Sequence, residues 1–354
     1  MEESNMHERQ PHYDLLRILA ILCVIYNHTN ERGYYLYAFP GSRILHDFYI
    51  AFAALMAVAV PIFFMISGAL LLPKQESIGE LYRKRVLRIL SVILLFSVLQ
   101  YGVKLWKGTA PLSVNYLLVH ILGDSMIPSY WYLYTYLAYL LILPFLRKLV
   151  NVMEKRDYHY LFVLLLVVEG LLPVGLYLLG IPSVNSFFVL PMLNRIMVYP
   201  LLGYYMEYVM EPERYCTETT KVVLVSMIIV LLIFVFMTNL RGLPYDKFTT
   251  YDKGLYTCSL TAVLDFGVYY LAKRFCQKRD MSKCRKVLMS LGDATLGIYL
   301  IEQPIMRNIP AVCDRFVPYV GAFPACIVYV FVVFMVSYVI ILLGKQIPGL
   351  KELL

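Results

Sequence analysis

Apolar residues gather into ten runs separated by short polar stretches: residues 15–29, 48–72, 86–106, 130–146, 160–179, 187–209, 222–240, 255–272, 287–309 and 322–343. Each is close to the roughly 20 residues an α-helix needs to cross a bilayer. Lipid offers the backbone no hydrogen-bond partner, so runs of this length satisfy their own amides as helices. The pattern predicts an all-α polytopic bundle of about ten transmembrane helices. A shorter apolar stretch, residues 112–122, reads as an interfacial or re-entrant helix leading into the fourth span. The first run is not a signal peptide: Glu2, Glu3 and Asp14 accompany Arg9 and Arg17 at its front, and no small-residue cleavage site follows. No Pro/Ser-rich linker, internal repeat or low-complexity tract interrupts the pattern, so one membrane-embedded domain over residues 1–354, without an appended soluble domain, is expected.

Composition agrees with a lipid-embedded chain. It is 60% hydrophobic and 16% charged, with a mean hydropathy of +0.66, more apolar than a soluble fold can hide. The net charge of +8 does not point to nucleic acid, because the basic residues sit at the ends of apolar runs. The loops after spans two, four, six and eight carry twice the Lys and Arg of the opposite set, which puts them, and both termini, in the cytoplasm. The chain is therefore expected to be a multi-pass protein of the inner, cytoplasmic membrane. Its seven cysteines are scattered, with no C-x-x-C pair and no zinc-ligand spacing, so neither a disulfide framework nor a metal site is expected.

Ionisable residues within spans are costly and mark functional candidates, with paired structural roles as the plain alternative. Of six histidines only His28 lies well inside a span; the other five fall in tails, loops or span edges. It is either a packing histidine bonded to a backbone carbonyl or a group that moves a proton. Arg17 stands eleven residues before it, nearly a whole number of turns, so the two share one helical face about 16 Å apart. The run Tyr82-Arg83-Lys84-Arg85-Val86-Leu87-Arg88 opens span three and reads as a positive-inside anchor. Arg85 and Arg88, three apart, also form a fork suited to a phosphate, with Lys84 beside them. Arg195, Asp265, Glu169 and Asp293 are further charges within spans; Arg195 is expected to pair with Glu302 or Asp265. Ser67-Gly68 reads as a close-packing pair, and the many tyrosines at span ends as an interfacial belt.

These residues resemble the acyltransferase-three family of integral membrane O-acyltransferases, which acylate cell-envelope sugars. Arg17 through His28 is similar to the family's Arg-x10-His motif, Phe63-Phe64-Met65-Ile66-Ser67-Gly68 to its Phe-Phe-x-x-Ser-Gly, and Arg85-x-x-Arg88 to its Arg-x-x-Arg. Trp131-Tyr132-Leu133-Tyr134, Leu202-Gly203-Tyr204 and Leu296-Gly297-Ile298-Tyr299-Leu300-Ile301 follow in family order. The resemblance implies acetyl-CoA or another acyl-CoA bound from the cytoplasm, His28 as essential base or acyl relay, and Arg17, Arg85 and Arg88 as phosphate-binding or site-organising groups. Where the family often reads Ile-Tyr-Leu-Ile-His, this chain has Glu302, which takes the place of a second histidine as acid, base or partner of an arginine.

The leading expectation is an enzyme moving an acyl group, most simply acetyl, from cytoplasmic CoA to a hydroxyl of an envelope polysaccharide or lipid-linked sugar. It acts on the acceptor directly or hands the group to an extracytoplasmic partner protein. The alternative is an exporter of a lipid-linked intermediate, against which stands the absence of matching halves.

Overall fold

The structure, a computed structural model, describes residues 9–39, 41–181, 184, 188, 190–241 and 259–353. Among these residues the secondary structure is helical, with no strand. The principal helices are α1 (Pro11–Asn27), α2 (Arg43–Met56), α3 (Ala59–Leu71), α4 (Leu87–Trp106), α5 (Trp131–Val150), α6 (Lys155–Leu164), α7 (Arg195–Tyr204), α8 (Thr217–Arg241), α9 (Thr261–Lys278), α10 (Arg285–Asn308) and α11 (Ala322–Gly344). Short π-helical turns extend α6 through Leu165–Leu171 and α7 through Tyr205–Val209, and one at Tyr82–Val86 precedes α4. The stretch at 112–122 forms a short helix over Val114–Gly123.

Six helical segments are long and apolar enough to cross a membrane: Arg43–Leu71, Ile78–Trp106, Pro128–Val150, Lys155–Leu178, Thr217–Leu240 and Ala322–Gly344. The other four expected spans are the helices α1, α7, α9 and α10, which are shorter or more polar. Their place in the bundle explains the difference. Helix α1 packs against α2, α3, α9, α10 and α11, and α7 lies along α3. A helix surrounded by protein need not be apolar, whereas α8 turns Leu224, Val225, Ile228, Ile229, Leu232 and Phe236 outward as a lipid-facing surface must.

Two expected boundaries move. The run 48–72 is not one continuous helix: it starts at Arg43, capped by Ser42, and breaks between Met56 and Ala59. Pro61 has no amide to offer the carbonyl of Ala57, and Asn27 donates its side-chain amide to the Met56 carbonyl at 3.0 Å. The run 187–209 becomes helical only at Arg195, where Asn194 accepts from the Ile196 amide; part of its expected start, like residues 242–258, lies outside the described residues.

Helices α3 and α7 touch backbone to backbone. A Cβ on Gly68 would lie 2.0 Å from the Pro200 carbonyl oxygen, and one on Gly203 would lie 1.9 Å from that of Met65. Only glycine fits at either crossing, which gives the Ser67-Gly68 pair its packing role.

Candidate active site

His28 caps the C-terminal end of α1, its amide bonded to the carbonyls of Val24 and Ile25. Its Nδ1 lies 2.8 Å from Oε1 of Glu302 on α10. The imidazole is about a quarter exposed and the carboxylate fully buried. A carboxylate on Nδ1 fixes the ring's orientation and leaves Nε2 as the free, proton-accepting nitrogen. Oε2 of Glu302 has no hydrogen-bond partner among the described residues. The Arg195 side chain, expected to pair with Glu302 or Asp265, lies outside the described residues.

Glu302 sits two residues before Pro304, whose missing amide leaves the Leu300 carbonyl without its helical donor. The Tyr130 hydroxyl, reaching across from the start of α5, supplies that bond at 3.0 Å. Tyr299, one turn before Glu302, donates its hydroxyl to the Ser129 carbonyl on the same side. Tyr130 is therefore buried rather than part of an interfacial belt. Tyr132 likewise turns inward against Tyr299 and Phe64, with ring centroids 5.4 Å apart in both cases.

At the expected cytoplasmic end the same two helices carry a basic mouth. Asp14 is buried and receives Arg17 Nη1 at 2.8 Å and Arg9 Nε at 2.8 Å; Arg9 also meets Asp293 at 2.8 Å. Gly292 makes room for this carboxylate, since a Cβ there would come within 2.6 Å of the Asp14 Oδ1 atom. An outer cavity of about 630 Å³ is lined by Arg9, Arg17, Arg88, Asp293, Lys345 and Lys351 among others. A narrower inner cavity of about 260 Å³ is lined by Arg17, Arg85, Arg88, Ser67, Tyr132 and Tyr299 among others. Arg17, Arg88, Leu70, Thr295 and Leu296 belong to both, so the cavities adjoin. The inner one reaches Tyr299, a single helical turn short of Glu302 on α10; His28 is not among its lining residues.

Arg85 and Arg88 thus face one cavity, as their spacing suggests, but Arg85 is not free. Glu76 holds it at 2.7 Å and also holds Arg147 at 2.9 Å. Arg85, then Arg147, keep the Glu76 carboxyl down at a pKa of about 2. Arg147 in turn donates to the Leu71 carbonyl at 3.0 Å, tying the end of α3 to α5. Arg88 bonds the Leu353 carbonyl at 3.2 Å. Lys84 is exposed, pairs with Glu80 at 3.3 Å and lies in neither cavity. Ser67 lines the inner cavity while its hydroxyl donates to the Phe63 carbonyl at 2.8 Å.

One buried cluster has no counterpart in the sequence reading. Glu207 receives His12 Nε2 at 3.0 Å, the Tyr269 hydroxyl at 2.8 Å and Lys273 Nζ at 2.9 Å. His12 and Lys273 are therefore buried, not tail or loop residues, because α1 and α9 each extend further than their apolar runs. Glu169 accepts from the Ser259 hydroxyl at 2.9 Å. Among the described residues no three His, Cys, Asp or Glu side chains are placed to share a metal ion.

A family model described as an acyltransferase domain matches residues 11–342. The chain belongs to the acyltransferase-three family. No curated protein and no solved structure gives a significant match. As a member of that family the protein is a membrane acyltransferase. The family domain contains His28, Glu302, Arg17, Arg85 and Arg88, whereas Arg9, Lys345 and Lys351 lie outside it.

Proposed function

We propose that the protein transfers an acyl group, most simply acetyl, from cytoplasmic acyl-CoA to a hydroxyl of an envelope polysaccharide or lipid-linked sugar at the inner membrane. One observation carries this reading. A cation-lined cavity narrows into one that adds aromatic residues, and α10, which lines both, carries Glu302 one turn beyond it in contact with His28 of α1. CoA is anionic at its nucleotide end and uncharged along its pantetheine arm, and the inner lining sets Tyr132, Tyr136 and Tyr299 beside Arg17, Arg85 and Arg88.

In this reading the phosphates rest on Arg17 and Arg88, and the arm points along α1 toward His28, about 16 Å from Arg17. Nε2 of His28 takes the proton of the acceptor hydroxyl as its oxygen attacks the thioester carbonyl. The C–O bond forms, the C–S bond breaks, and the imidazolium returns its proton to the departing sulfur. Glu302 holds the ring in the reactive tautomer and stabilises its charged form. In this reading acceptors reach His28 from the side opposite the basic mouth; the imidazole is about a quarter exposed.

The test is acyl-CoA turnover by purified protein in detergent or nanodiscs, measured as free thiol released, with envelope glycan fragments as acceptors. His28→Ala is expected to lose at least about 100-fold in kcat, the contribution typical of a positioned general base. Normal turnover by a folded His28→Ala protein removes the mechanism.

A further inference from the structure

Five cations line the outer cavity, and they are not equally engaged. Arg9 and Arg17 lean on Asp14, and Arg9 also on Asp293. Arg88, Lys345 and Lys351 have no carboxylate within salt-bridge distance among the described residues. Lys345 donates to the Asp293 backbone carbonyl at 3.0 Å. The short helix Leu350–Leu353, which packs on α4, is tied to Arg88 through the Leu353 carbonyl and so brings Lys351 to the same space. Among the described residues the lining sets one carboxylate, Asp293, against these five cations, and such an excess of like charge is unfavourable unless an anion joins it. Burial, offset by Asp293 and reinforced by Arg88 and Arg9, pushes the Lys345 ammonium below its ordinary value.

The positions of these groups are graded. Arg17 and Arg88 line both cavities, whereas Lys345, Lys351 and Arg9 line the outer one alone. A nucleotide donor with its thiol arm in the inner cavity leaves its diphosphate at the junction. Any further phosphate on its ribose then lies outward, beside the two lysines. Building on the acyl-CoA reading, we propose that Lys345 and Lys351 form a subsite for the ribose phosphomonoester of the donor. They make this acyltransferase selective for donors that carry that phosphate.

The experiment compares acetyl-CoA with 3′-dephospho-acetyl-CoA on the full-length protein, in wild type and in the Lys345→Gln, Lys351→Gln double variant. Wild type is expected to show a KM about 10- to 100-fold lower for acetyl-CoA, the range of one charge-assisted hydrogen bond. The double variant is expected to raise the KM for acetyl-CoA toward that for the dephospho donor, with which it and wild type differ by less than about twofold. Adenosine 3′,5′-bisphosphate should compete with acetyl-CoA in wild type and lose most of that competition in the variant. The Lys345→Arg, Lys351→Arg protein should restore the preference. Equal KM values for the two donors in wild type, or an equal loss for both in the variant, overturn the subsite while leaving acyl-CoA turnover in place. No binding of either donor by wild type overturns the functional reading and the subsite together.

Discussion

Replacing Glu302 by Gln preserves the size and packing of the side chain while removing its negative charge. Among the described residues the carboxylate has one hydrogen-bond partner, His28 Nδ1 at 2.8 Å, with no water-exposed surface to weaken the bond. A hydrogen bond to a charged group is worth about 1.5–3 kcal/mol, and the charge matters most when the imidazole is protonated in the transition state. At about 1.36 kcal/mol per decade this predicts a fall in kcat of about 10- to 150-fold. The fall approaches 10⁴-fold if the amide also selects the wrong tautomer, the magnitude known for the buried carboxylate of serine-protease triads. Glu302 lines neither cavity, so KM for the donor should stay within about twofold. The assay is steady-state thiol release with purified Glu302→Gln and Glu302→Ala proteins, alongside thermal melts that establish folding. A folded Glu302→Gln protein with wild-type kcat would refute the assignment of the carboxylate as the group that orients His28. A loss confined to KM would refute it equally.

Two further outcomes follow from packing and charge. Gly203→Ala places a methyl group 1.9 Å from a backbone oxygen that has no flexible end to yield, so a loss of about 3 kcal/mol or more, seen as a large fall in the melting midpoint, is expected; an unchanged midpoint would contradict the backbone contact of α3 with α7. Glu76→Gln should lower the melting midpoint at pH 7 and weaken donor binding by freeing Arg85. Its folded pKa of about 2 lies below the unfolded 4.5, so the bridge's stabilisation is full above pH 4.5 and fades as the pH falls toward 2. The gap between wild type and Glu76→Gln should therefore be constant from pH 5 to 8 and narrow below 4.5; a gap that widens with acid would contradict the bridge.

The bundle was largely legible in the chain because lipid imposes a long apolar run on each outer helix, and runs survive inspection without partners. The inner helices were read less well for the same reason: α9 carries Lys273 on a face that meets Glu207, and its apolar run stops before its helix does. Arg17 and His28 were found through their common face on α1. Glu302 was noticed as a departure from a family motif, but its partner is 274 residues away, and local spacing says nothing about contacts at that range. The same applies to Arg147, which reads as a loop cation and serves as the second ligand of Glu76, and to Lys345 and Lys351, whose place in the outer cavity depends on where α11 ends. Asp14 had a local signal, standing three residues before Arg17.

The bond that Pro304 removes from α10 is replaced by a hydroxyl belonging to α5, so the course of α10 just past Glu302 is held by a neighbour rather than by its own ladder. The aim of the carboxylate at His28 therefore rests on a contact between two helices, and a Tyr130→Phe protein, which lacks that hydroxyl, leaves the Leu300 carbonyl without its donor.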